Sequence, residues 1–351
     1  MTAPFGWCIV TIRGSLIIRL LFGLLSLAFI VICSGCAEST VSQDERTMVL
    51  VSPVSLKEHV VTLSQAHYPR SYAHHDNLKR CAGYIRDHFE KAGARVTTQF
   101  YTAGGMTYEN VIGCFGPDEG ERVIVGAHYD AAEDTPGADD NASAVAGLIE
   151  LAYLLGKEKP KGHVELVAYS TEEPPFFGTD DMGSAHHAKG LHEMGVKMRL
   201  MIALECIGYF TDEPGSQAYP VPFLGLFYPD KGDYIGIVGR FFDRALVKTT
   251  ERIMRAATDL PVESICAPRF LPGIHLSDHR NYWQYGYRAI MITDTAFYRN
   301  AEYHRTGDTA DRLDYVRMAK VVVGVYAVIR GFADSKMETR GLKCYFCCTS
   351  A

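Results

Sequence analysis

The chain has 351 residues, 47% of them hydrophobic, enough to bury a sizeable core as one large domain or two small ones. Its formal net charge is -6, and no basic cluster interrupts the acidic balance, which argues against a nucleic-acid partner.

At the N-terminus, Arg13 and Arg19 flank an apolar run from Leu20 to Cys33, followed by Ser34, Gly35 and Cys36. A positive flank, an apolar stretch and small residues before a cut site read as an export signal over residues 1–35. The ending "CSGC" resembles a bacterial lipobox with Cys36 as the lipidated residue, although Cys33 stands where leucine is usual. The alternative is an uncleaved membrane anchor. Either way the protein is expected beyond the inner membrane, in the periplasm or as an outer-membrane lipoprotein, reaching the membrane through its N-terminus. No protein partner is predicted. Loss of residues 1–35 removes two arginines and no carboxylate, leaving 33 basic against 41 acidic residues, a charge near -8.

Residues 36–60 read as a linker, and a single pattern then runs from 61 to 333. Leu78, Cys81, Ala82, Ile85 and Phe89 recur at helical spacing, with a stop at Gly93. Strands follow in "RVTTQFY", "NVIGCFG" and "RVIVGAHYD", then a helix opened by Asn141 as a cap in "NASAVAGLIELAYLLGKE". Next come the strands "HVELVAYS" and "MRLMIALECIGYF", a Pro/Gly-rich loop from Thr211 to Asp233, and the strand "DYIGIVG". The helix "RALVKTTERIMRAA", the strand "RAIMITDT" and a closing helix from Asp311 complete the order. Continuous apolar strands alternating with helices predict one α/β domain with a mostly parallel central sheet flanked by helices. Seven cysteines lie beyond Cys36, an odd number that leaves at least one thiol free. Cys344, Cys347 and Cys348 fall in a tail, 334–351, that is expected to be incidental.

In open α/β sheets, ligands gather at the carboxyl ends of the strands. Those ends carry His128 and Asp130, then Asp139 and Asp140 before a helix, Glu172 and Glu173, Glu205, and finally His304. So many carboxylates in one place repel one another unless a cation holds them, and imidazole with carboxylate suits zinc. The adjacent Glu172 and Glu173 then divide the work: one ligates, and its neighbour takes a proton from water. Asp139 reads as a solvated loop residue.

The ordered set "AHYD", "PGADDNAS", "STEE", "ALECIGY", "LSDH" and "YHRTGDT" resembles the M28 family of zinc metallopeptidases, over roughly Val61 to Phe332. The resemblance implies a zinc-exopeptidase-like fold and two zinc ions. In that reading His128 and Glu205 hold one ion, Glu173 and His304 the other, and Asp140 bridges both. It also implies Glu172 as general base, Asp130 supporting His128, and a cis peptide between Asp140 and Asn141. Many family members carry aspartate at the position of Glu205. Two metals flanking one water lower its pKa from 15.7 toward about 7, and Glu172 passes the proton to the departing amine.

Ser277, Asp278 and His279 are consecutive and so do not build a serine-hydrolase relay; the resemblance implies instead that this segment lines the substrate pocket. Phe223, Phe227, Tyr228, Phe270 and Trp283 hint at an apolar first residue in the peptide substrate. The pairs His74-His75 and His186-His187 read as surface histidines. Three functions fit: a metallo-aminopeptidase, favoured; a glutaminyl-peptide cyclotransferase; and a non-catalytic binding domain, which should have lost ligands.

Overall fold

The strand ends singled out above meet along one edge of a single sheet. The structure, a computed structural model, describes residues 50–335; the expected signal, Cys36 and the cysteine tail lie outside them. Among the described residues no helix is long and apolar enough to cross a membrane.

The chain opens with α1 (Pro53–Val61) and α2 (His75–Lys91), followed by β1 (Arg95–Ala103), β2 (Met106–Phe115) and β3 (Arg122–His128). A wide helical turn (Ala138–Ser143) leads into α3 (Ala144–Lys157), β4 (His163–Tyr169), α4 (Gly183–Glu193) and β5 (Met198–Glu205). After a long loop come β6 (Ile235–Gly239), α5 (Arg244–Ala257), β7 (Val262–Cys266), α6 (His279–Gln284), β8 (Ala289–Thr293) and α7 (Tyr315–Ala333).

The eight strands lie in the order β1-β2-β4-β3-β5-β8-β6-β7. The centre, β4-β3-β5-β8, is parallel, while β1, β2 and β6 add antiparallel pairings. From β3 the chain goes to β4 on one side and then returns to β5 on the other. This makes β3 the switch point, where the strand ends splay and leave a crevice. The parallel strands are buried on both faces. Val123, Val125 and Ala127 of β3 join the core that includes α3 and α7, and Ile124 joins the one that includes α4 and α6. Helix α3 is buried along most of its length, which explains its nearly continuous apolar sequence. The β1–β2 turn uses Gly104 and Gly105, both at positive φ, the conformation a two-residue hairpin requires.

Several expectations need correction. Residues 51–60, read as linker, belong to the folded body: Val51, Leu56 and Val60 are fully buried. Ser52 accepts a hydrogen bond from Ser55 N and Pro53 follows as the first helical residue, a start signal that the polar surroundings obscured. Strand β5 stops at Glu205 because Cys206 takes a positive φ of 48°. Helix α7 begins at Tyr315, where Asp314 accepts from Val316 N and Arg317 N. Helices α4 and α6 and strand β7 had no clear signal in the sequence. His187 is buried and meets the Tyr282 hydroxyl at 2.6 Å, so that histidine is not a surface residue. Cys81, Cys114, Cys206 and Cys266 are free thiols.

Candidate metal centre

His128 ends β3 with its side chain fully buried. Its Nδ1 lies 3.2 Å from the Asp130 carbonyl oxygen and 3.4 Å from Asp130 Oδ1, so Nδ1–H has an acceptor and Nε2 is free to face the crevice. The Asp130 carboxylate has a second task. It accepts from Glu172 N at 3.2 Å and Glu173 N at 3.0 Å, which ties the turn after β4 to the end of β3. Two adjacent glutamates are thus held beside a histidine that lies more than 40 residues earlier.

Asp140 lies in the turn before α3, outside helical geometry, and the Asp140–Asn141 peptide is cis. Asn141 does not cap a helix. Its side chain donates to Leu204 O at 3.0 Å and accepts from Cys206 N at 3.0 Å, joining this turn to the end of β5. Asp308 accepts from Asp139 N and Asp140 N. Arg70, fully buried, donates to the carbonyls of Tyr129, Pro136 and Gly137, bracing the loop between His128 and Asp140. Asp139 is buried as well, a correction: it accepts from Gly208 N at 3.0 Å, and burial with the neighbouring Asp294 and Asp308 pushes its carboxyl well up.

The remaining carboxylates converge. His128 Nε2 stands 3.4 Å from both Asp140 Oδ1 and Glu205 Oε1, and 3.9 Å from Glu172 Oε2. His304 Nε2 stands 3.0 Å from Asp140 Oδ2 and 3.2 Å from Glu173 Oε2. Asp140 therefore presents one oxygen to each histidine. Ser277 Oγ donates to Glu205 Oε2 at 2.7 Å, which orients that side chain. Thr171, Cys206 and His304, all at positive φ, sit next to or within this cluster; such strained residues persist only where their surroundings hold them.

The donor set fits a metal. Zinc bonded to nitrogen and oxygen at about 2.0–2.2 Å in a tetrahedron places ligand atoms roughly 3.3–3.6 Å apart, close to these separations. Both oxygens of Asp140 and Oε1 of Glu173 are buried with no hydrogen-bond partner. Such orphaned acceptors are costly unless a cation meets them. Among the described residues four groups satisfy the spacing: His128–Asp140–Glu205 and Asp140–Glu173–His304, which share Asp140, His128–Glu172–Glu173, which overlaps them, and Cys114–His163–Glu165, which uses other residues.

The protein groups alone show the same imbalance. Burial pushes the Glu172 carboxyl well above its usual range; His128 pulls it down, while Glu205, Glu173 and Asp278 push it further up. Glu173 is driven to about 7 by burial and Asp140, against the pull of His304. Burial opposes the charging of His304, yet Asp140 and Glu173 outweigh it and raise the ring to about 10. Asp140 is held low despite its burial by His128 and His304.

Ser277, Asp278 and His279 are fully buried. Ser277 meets Glu205, Asp278 precedes α6 and His279 is its first residue, with Nε2 facing Ile274 O at 2.8 Å, so no serine relay exists. An apolar cavity of about 110 Å³ opens beside Glu205, walled by Tyr219, Leu224, Tyr228, Tyr234, Ile237 and Leu271. Of the five aromatics read as pocket formers, only Tyr228 lines it. Phe223, Phe227 and Phe270 are exposed, and Trp283 is buried with its Nε1 on Ala289 O. The β6–β7 wall escaped the sequence reading because short apolar strands carry no mark of what they face.

The model of peptidase family M28 matches residues 110–329. An uncharacterized Escherichia coli protein, YfbL, is 51% identical over 286 residues, covering 79% of this chain and 88% of that protein. Among solved structures, the LapA aminopeptidase of Legionella pneumophila superposes with a TM-score of 0.66 at 17% identity, covering 84% of this chain and 76% of that one. A glutaminyl cyclase from Bacteroides thetaiotaomicron superposes with a TM-score of 0.60 at 18% identity, covering 80% and 97%. At those identities the two structures establish the shared zinc-exopeptidase fold.

Proposed function

The chain belongs to peptidase family M28, a metallopeptidase family, and on that premise we propose that it is a dinuclear zinc aminopeptidase, removing first residues from peptides. The observation that carries this reading is the pair of donor triads sharing Asp140. His128, Asp140 and Glu205 would hold one ion, and Asp140, Glu173 and His304 the other. Bound zinc supplies a Lewis acid for the scissile carbonyl and lowers the pKa of water from 15.7 toward about 7.

The chain's own groups do the rest. Glu172 accepts a proton from the attacking water and returns it to the departing amine, as general base and then general acid. Its burial favours the protonated form, which suits the second step. Asp130 fixes both His128 and the Glu172–Glu173 turn, so base and ligands keep a constant spacing. The cavity beside Glu205 receives the side chain of the first residue, and its wall selects apolar ones. A glutaminyl cyclase, which works with one zinc, has no evident use for a second triad. Export through residues 1–35 with lipidation at Cys36 belongs to the same proposal, and the mass of the mature N-terminus tests it.

The experiment is to incubate the protein from Ala37 onward, zinc supplied, with a peptide pool that includes blocked N-termini and N-terminal glutamine. Loss of single residues from unblocked peptides alone is the expected result. Loss of ammonia from glutamine peptides alone means a cyclase, and no change in a metal-loaded sample favours a binding domain.

A further inference from the structure

Arg280 is a cation in an unusual position. It lies in α6, directly after Ser277, Asp278 and His279, and its guanidinium carbon stands 4.9 Å from the ring centroid of Phe177. Phe177 is four residues beyond Glu173, in the loop that leaves the glutamate pair. The guanidinium also meets the chain at Gly178, where a Cβ would come within 3.2 Å of Nη1 and 3.5 Å of Nη2. The side chain therefore packs against a ring and the bare backbone beside it.

What is missing is an anion. Most arginines here find a carboxylate or a carbonyl; Arg280 Nε is buried with no hydrogen-bond partner. Among the described residues neither Arg280 nor Arg269 has a carboxylate within ion-pair distance. Instead, burial lowers the Arg280 pKa, Arg269 lowers it further, and Glu172 alone among carboxylates pulls it back. Half-buried His275 is depressed by burial and then by the same two arginines, so three basic groups gather on this flank. In a protein with an acidic surplus, a positioned and half-buried guanidinium such as that of Arg280, with the exposed Arg269 as a second cation and no counter-charge, is costly unless something outside the chain supplies one.

The chemistry says which part of a substrate lies there. Glu172 must hand its proton to the leaving amine, so the residue after the scissile bond lies on the Glu172 side. The apolar cavity beside Glu205 takes the residue before it. We propose that Arg280, with Arg269 beside it, binds a carboxylate on the leaving-group side of the scissile bond, making short peptides with a free C-terminal carboxylate, or with an acidic second residue, the preferred substrates. This rests on the peptidase reading above and specifies its substrate class.

The test compares Leu-Gly with Leu-Gly-amide, Leu-Asp-amide with Leu-Asn-amide, and leucine p-nitroanilide as a substrate without a carboxylate. A guanidinium–carboxylate contact predicts a kcat/KM ratio of acid to amide on the order of ten- to a hundredfold, expressed mainly in KM. A high ratio in the first pair assigns the terminal carboxylate, and in the second an acidic side chain. In Arg280→Gln the ratio should fall toward one, and Arg280→Lys should restore part of it, with thermal melts confirming that both variants fold. Ratios near one in the wild type, or a ratio unchanged in Arg280→Gln, overturn the proposal. If the p-nitroanilide and amides turn over but the ratios are flat, only this inference fails. If nothing turns over in the zinc-loaded protein, the peptidase reading fails and takes this inference with it.

Discussion

The Ser277 hydroxyl donates a 2.7 Å hydrogen bond to Glu205 Oε2, across 72 residues of chain, and so leaves Oε1 facing His128 Nε2 at 3.4 Å. A long glutamate arm at this position is thereby held in one ligating posture. Ser277→Ala frees it, and the expected result is a ten- to hundredfold weaker affinity for one zinc ion, roughly the usual cost of losing an outer hydrogen bond to a ligand. Chelator competition measures this; unchanged affinity means the serine is dispensable for the site.

Glu172 lies 3.9 Å from His128 Nε2, farther than the atoms read as ligands. Glu172→Gln keeps the side chain's shape while removing its basicity. Zinc content should be unchanged and kcat should fall by roughly a hundred- to ten-thousandfold. Metal analysis alongside steady-state kinetics checks both halves, and retained turnover removes Glu172 as the base.

His304 supplies the only nitrogen of its triad. His304→Ala should cost one of two zinc equivalents and leave the His128 triad loaded. Stoichiometry of two in that variant would show that the ring is not a ligand.

Four buried carboxylates, Asp140, Glu172, Glu173 and Glu205, crowd this centre with two histidines to offset them. Chelation should therefore lower the melting temperature, and zinc should restore it. Free metal at a hundred times its Kd adds about 2.7 kcal/mol of stability. A melting curve indifferent to chelator in a fully stripped sample contradicts a metal site.

Acid sensitivity should arise at His279. Burial depresses this ring from 6.5 to about 3, and its Nε2 lies 2.8 Å from Ile274 O. Because the folded value lies below the unfolded one, the unfolded chain takes up the proton first. The ring's contribution to stability is full above about pH 6.5 and is lost as pH falls toward 3, by up to about 1.4 kcal/mol per pH unit. His279→Gln keeps a donor for Ile274 and should flatten the fall in stability between pH 6.5 and 4, as read by denaturant titrations. An unchanged slope assigns the acid sensitivity elsewhere.

Much of the sheet and the list of chemistry-bearing residues could be read from the chain. Apolar runs such as "HVELVAYS" and the helix "RALVKTTERIMRAA" have periods that local sterics dictate, and strand ends in a parallel sheet are where polar side chains escape the core. Short elements such as α4, α6 and β7 escaped because a few apolar residues fit a helix, a strand or a loop equally well.

The sequence by itself determined which residue types stand at which strand ends, and so that carboxylates and imidazoles would collect where a cation is needed. Only the tertiary structure decided how they are oriented: that Asp130 clamps the turn of Glu172 and Glu173, that Asn141 ties to β5 instead of capping α3, that Asp139 is buried, and that Arg280 is left without an anion. Periodicity is a property of neighbours along the chain. A hydrogen bond or a missing counter-charge is a property of groups dozens of residues apart, and it exists only once packing brings them together.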